Sequence, residues 1–133
     1  MTSVLNVDEI AAKNGTSPVT LTKQQAAKAW STLDGDNSTP AFFDSFNFAS
    51  VTDNATGDFT QTYTSAMNNG TYNYSTFGHA ESTNPQARTC NVYDGYPLTT
   101  AFRARYGYPS NTGGGGTAID DKQVVLSVHG DLA

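Results

Sequence analysis

The chain has 133 residues and a formal net charge of −5, from seven basic and twelve acidic side chains. That length holds one domain with room for a short arm. So few cations argue against a phosphate-neutralising surface and against nucleic-acid partners. No run of about 18 apolar residues occurs, so no membrane-spanning helix is expected.

Charged residues make up 14% of the chain, against roughly a quarter in an average globular sequence. Thr, Ser and Asn together supply 41 residues, and a Thr-rich, aromatic-bearing chain of low charge favours strands. Seven Tyr, seven Phe and one Trp can build a core, so a disordered chain is not expected. The single cysteine, Cys90, excludes an internal disulfide framework and a cysteine-based zinc site. His79 and His129 form no local ligand pair. No cofactor is expected.

Residues 1–27 read as an arm. They hold no aromatic side chain, and Ala, Lys and Gln recur. Met1 to Ala12 has neither a basic stretch nor an apolar core, which argues against a secretory signal peptide. Val4-Leu5-Asn6-Val7 and Val19-Thr20-Leu21-Thr22 are short strand candidates around an Asn14-Gly15 turn and Pro18. Lys23 to Ala29 suits one or two helical turns, with Thr22 as candidate N-cap. Two short strands make no stable core alone. The arm is therefore expected to pack on the domain or on a neighbouring chain. Val4, Leu5, Val7, Ile10, Val19 and Leu21 are its candidate contacts with another copy or another protein.

Residues 28–133 read as an antiparallel β-sandwich or jelly-roll-like domain. Ala29 to Leu33 is a strand and Asp34 to Asn37 a turn. Phe42, Phe46 and Phe48 share one parity, which predicts three rings on one core face. The cluster Thr52 to Asp58 reads as a turn. Phe59 to Thr64 alternates again, so the two runs predict a hairpin. Tyr72, Tyr74 and Thr76 line one face of the next strand, ended by Phe77. Ala87 to Tyr93 is a further strand candidate. Thr99 to Arg105 sets Thr100, Phe102 and Ala104 against Arg103 and Arg105. Tyr106 to Gly116, with glycines at 113–116, reads as a long loop. Val124 to His129 closes the domain. Turn signals every 8–12 residues suit a sandwich or barrel.

Few residues suggest chemistry. Asp34-Gly35-Asp36-Asn37 lacks the later ligands of a calcium loop and reads as a plain turn. Asp120 and Asp121 would point to opposite faces of a strand, so they read as a solvated turn rather than an acid–base pair. His79, Glu81 and Cys90 have no spacing that supports a nucleophile and base; Cys90 reads as a small core residue. His129 reads as a hydrogen-bonding structural residue. Arg103 and Arg105, with Arg88 near in sequence, read as ion-pair members, with an acidic ligand as the alternative. Tyr93, Tyr96, Tyr106 and Tyr108 flank Gly-, Pro- and Asn-rich loops. Exposed Tyr beside small polar residues is the composition of recognition surfaces, and the same rings serve equally well in packing.

Lys28-Ala29-Trp30 and the run from Phe42 to Thr60, FFDSFNFASVTDNATGDFT, point to a family. They resemble a stretch of tail-fibre-like virion proteins of tailed bacteriophages, marine ones especially. There KAW precedes a Gly/Asn turn, then DSFNVSSITDNGTGDYT, alternating Thr and aromatic residues, and AM, which Ala66-Met67 matches. Leu5 to Ile10 with Asn14-Gly15-Thr16 is similar to the leader of such proteins, and Val124 to Gly130 to their last strand. The resemblance covers residues 4–21 and 28–78, and it implies no catalytic residue. Such segments often sit in longer fibre chains. A 133-residue chain has room for an anchoring arm and one exposed domain but not for a shaft. The expectation is therefore a structural virion protein, a homotrimeric capsid decoration (cement) or head-fibre protein. Its expected partners are its own copies and the major capsid protein or other virion proteins. The alternative is a tail-fibre or receptor-binding protein that recognises host surface carbohydrate through Tyr93, Tyr96, Tyr106 and Tyr108. An enzyme ranks last, because no convergent acid, base and nucleophile are visible.

Overall fold

The computed structural model describes residues 27–79, 87–109 and 116–130. Residues 1–26 lie outside the described residues, and with them the six candidate contacts of the arm, Val4 to Leu21. The described chain forms nine strands: β1 (Ala29–Asp34), β2 (Ala41–Phe46), β3 (Phe48–Ala55), β4 (Asp58–Tyr63), β5 (Asn73–His79), β6 (Thr89–Val92), β7 (Ala101–Tyr108), β8 (Thr117–Ala118) and β9 (Gln123–His129). No helix occurs among the described residues. One sheet has the order β2-β1-β9-β5. The other runs β3-β4-β7-β6, with β8 also paired to β7. Every pairing is antiparallel. The two sheets pack face to face as a β-sandwich.

Period-2 alternation supplies the core. Ala29 and Leu33 of β1 and Val124, Leu126 and Val128 of β9 point inward from the first sheet. Phe59 and Tyr63 of β4 and Phe102, Ala104 and Tyr106 of β7 meet them from the second. Two polar contacts cross the interior. Ser31 Oγ donates to Gln61 Oε1 at 2.5 Å, linking β1 to β4. Thr76 Oγ1 donates to the Val125 carbonyl at 2.7 Å. That leaves the Tyr106 hydroxyl to donate to Thr76 Oγ1 at 2.6 Å, linking β7 to β5. Tyr74 meets Phe102 edge-on between the same strands, with centroids 4.9 Å apart.

The three-Phe face is corrected. Phe42 and Phe48 do stack, 6.0 Å apart, but Phe46 is 51% exposed and points out of the sandwich. Two features break the parity. The β1–β2 ladder carries a bulge between Thr32 and Leu33, and Asn47 takes a left-handed backbone, φ 60°. The run is thereby cut in two, with β2 in the first sheet and β3 in the second. Asn47 holds this corner with its side chain. Nδ2 donates to the Lys28 carbonyl at 3.1 Å and the Ser65 carbonyl at 3.0 Å. Oδ1 accepts from Ser65 N at 2.7 Å.

The β3–β4 hairpin forms as expected, with a tighter turn. Thr52 to Ala55 belong to β3, and only Thr56 and Gly57 connect the strands. Gly57 supplies the positive φ of 68°. Polar residues remain a strand here because β3 is an edge strand with a wet outer face. The loop predicted over Tyr106 to Gly116 is also corrected: Tyr106, Gly107 and Tyr108 complete β7.

Candidate functional site

The outer face of the second sheet carries a polar network built on Asp58. This residue falls in the sequence's turn cluster, yet it opens β4 and is almost fully buried. Arg103, on the neighbouring strand, grips it with both arms of its fork: Nε to Oδ1 at 2.9 Å and Nη2 to Oδ2 at 2.7 Å. The Tyr93 hydroxyl donates to Oδ2 at 2.7 Å, and Asn54 Nδ2 to Oδ1 at 3.3 Å. Burial pushes the Asp58 pKa up, but the bonds from Arg103 and Tyr93 outweigh it and hold it below the ordinary carboxylate value. The Arg103 guanidinium also lies over the Tyr93 ring, 4.2 Å from its centroid. Tyr93 is thus fixed at its hydroxyl and across one face.

Arg88 takes the second buried carboxylate. Its Nε donates to Asp121 Oδ1 at 2.6 Å. Asp121 is 1% exposed, so the solvated-turn reading is corrected; Asp120 alone remains exposed, and it accepts from Gly57 N. Asp121 Oδ2 and Arg88 Nη1 are buried without a hydrogen bond among the described residues. Burial raises the Asp121 pKa despite Arg88.

Arg105 differs from both. It is exposed and makes no hydrogen bond or ion pair among the described residues. It opens onto a pocket of about 280 Å³ with Thr89, Asn91, Tyr93, Gly107 and Thr117. The register explains the cluster. Asn91 of β6 stands opposite Arg105, and Thr89 opposite Gly107. On the other side Ala118 of β8 pairs with Gly107. A Cβ at Gly107 would fall 2.1 Å from the Thr117 carbonyl oxygen. The β8 backbone therefore passes through the space a side chain would fill, and it forms one wall of the pocket.

Of the four Tyr expected in exposed loops, Tyr93 borders this pocket and is half-buried. The expectation fails for Tyr106, whose ring is 1% exposed in the core. Tyr108 is a half-buried residue of β7, and Tyr96 is half-buried in the β6–β7 connection. Neither lines the pocket. Cys90 packs against the core, and burial pushes its thiol up to about 11, the reverse of an activated thiolate. His79 is exposed, and Glu81 lies outside the described residues. His129 bonds the Ser127 hydroxyl, 3.2 Å away.

The outer face of the first sheet is different in kind. Trp30 pairs across from Phe46, and Val125 across from Phe77. Trp30, Phe46 and Phe77 are 37%, 51% and 57% exposed. Trp30 stands opposite Ser127 and Val125 opposite Thr32, so the two apolar pairs form an oblique band that steps diagonally across the four strands. Compared with protein-family models, curated proteins and solved structures, the chain finds no match.

Proposed function

We propose that this chain is a structural, non-catalytic protein of a tailed-phage virion surface, a capsid decoration or head-fibre protein that assembles as a homotrimer. The observation that carries the reading is the aromatic band on the outer face of the first sheet. It joins the family resemblance of the segments that build β1 to β4. Half of an aromatic side chain, roughly 100 Å², contributes on the order of 2 kcal/mol when covered. Three such rings reach about 6 kcal/mol, comparable with the lower estimates of what association costs in lost freedom. The band alone makes a marginal interface. Residues 1–27, with their own apolar positions, supply the remainder in this reading.

A tail-fibre or receptor-binding role is the second reading, and the Arg105 pocket on the opposite face of the sandwich favours it. Copy number in purified virions separates the two. Quantitative mass spectrometry against the major capsid protein is expected to give a ratio near one for a decoration protein. A ratio of a few per cent would shift the assignment to a tail or vertex fibre. Absence from purified particles would sink both.

A further inference from the structure

We infer that the pocket between β6, β7 and β8 binds a sugar that carries a carboxylate, a uronic or sialic type of acid. Three arginines belong to the described residues of this sandwich, and two are spent on buried carboxylates of the same chain: Arg103 on Asp58 and Arg88 on Asp121. Arg105 alone of the three is exposed and unshared among the described residues. It sits in a concavity whose described lining includes no acidic side chain, on a chain of net charge −5. An anion is thereby recognised at one point, while the rest of the surface repels it.

The other walls select the kind of anion. One guanidinium matches a monoanion in a bidentate fork. Among the described residues, no second cation and no helix N-terminus faces the pocket to balance a phosphate dianion. Asn91 and Thr89 stand in line on β6, and Thr117 faces them from β8. These are neutral donors and acceptors, the set that hydroxyl groups require. Tyr93 offers an aromatic surface held still by Asp58 and Arg103, so ordering it on binding costs little. The volume, about 280 Å³, lies just below the span of sites for drug-sized ligands, about 300–1,000 Å³. It suits a ring or two and not a peptide chain. The inference does not rest on the virion assignment, because the pocket belongs to the single domain.

The test is a titration of the full chain, followed by amide chemical shifts and calorimetry. The probes are short oligomers of glucuronate, galacturonate, mannuronate and sialic acid. Neutral glucose and galactose oligomers and acetate serve as comparators. At least one acidic oligomer is expected to saturate the site, with shifts at Asn91, Arg105 and Thr117. Its affinity should exceed that of the neutral oligomers by about tenfold or more. Arg105→Gln should lower that affinity by about tenfold or more at unchanged melting temperature, and Asn91→Ala by severalfold. Arg105→Lys keeps the charge and loses the fork, so it should fall between; it also serves if the glutamine variant folds poorly. The inference is overturned if no acidic oligomer saturates at millimolar concentration, or if neutral oligomers bind equally. It is also overturned if acetate alone binds as tightly, or if Arg105→Gln binds like the parent. Copy number in virions reads the particle role separately, so either proposal can fail without the other.

Discussion

The two outer faces of this sandwich solve the same problem in opposite ways. Each sheet must present one face away from the core. The second sheet covers its face with a network in which Asp58, Arg103, Tyr93 and Asn54 satisfy one another. The first leaves Trp30, Phe46 and Phe77 in the open. A satisfied network has little left to offer a partner; Arg105, on the same face, is no member of it. An apolar band has everything left to offer. The difference underlies both proposals: another protein surface is proposed for the first sheet, and a small polar ligand for the second.

The sharpest way to break the contrast is Arg103→Ala. It strips the bidentate partner from a buried carboxylate and frees the Tyr93 ring. Because Arg103 is partly exposed, the loss should stay below that of breaking a fully buried pair, yet exceed that of an ordinary surface substitution. The urea midpoint measures it; a midpoint equal to the parent's would show the network to be ornamental.

Acid should then divide the two carboxylates. The Asp58 pKa is lowered in the folded chain, so the unfolded state takes up the proton first as pH falls. Its contribution to stability is present above the ordinary carboxylate pKa and is lost as pH drops through the folded value. The Asp121 pKa is raised, so its contribution has the opposite sign: folding gains as that group protonates, and the gain is lost as pH rises through its folded value. Urea midpoints between about pH 3 and pH 6 should fall less steeply toward acid in Asp58→Asn than in the parent. They should fall more steeply in Asp121→Asn. Parallel curves for all three proteins would contradict both assignments.

Arg105→Ala sharpens the comparison from the other side. An exposed arginine without a partner among the described residues should cost no more than about 0.5 kcal/mol when removed. A larger loss in urea unfolding would mean that Arg105 holds the fold together and is not reserved for a ligand. The smallest effect on monomer stability is expected for Phe46→Ser with Phe77→Ser, also about 0.5 kcal/mol or less. The same pair should abolish self-association in native mass spectrometry. A variant that still assembles would remove the first sheet's outer face from the interface.

Much of the fold is legible in the residues. The alternation of Phe102 and Ala104 against Arg103 and Arg105 places β7 and its two faces correctly, and Ala29 to Leu33 and Val124 to His129 are strands as read. The Phe42–Phe48 run misleads because parity carries information only while the ladder is unbroken. One bulge and one left-handed asparagine reset it. Tyr106 misleads because its glycine- and proline-rich neighbours suggest a loop. Its parity with Phe102 and Ala104 was the better signal, and it points inward. The pocket is the least legible part. Arg105 is visible on the Arg103 face, but Thr89, Asn91 and Thr117 become its neighbours only through strand register, which pairs residues far apart in sequence. Asp58 is hidden for the same reason: nothing local distinguishes a buried carboxylate from a turn aspartate before its arginine arrives from another strand.

The place of β1 has a mechanical consequence. It is an inner strand, with five registered partners on β2 and five on β9. The chain enters it at Lys28, whose amide bonds the Val128 carbonyl and whose carbonyl is held by Asn47. A domain tethered through its N-terminal segment would feel tension along the axis of β1. Hydrogen bonds in antiparallel pairs lie across that axis, so both ladders would be loaded in shear and would have to yield together. The same pull on an edge strand would load a single ladder. Two ladders in place of one would make β1 the more resistant point of attachment for such a tether.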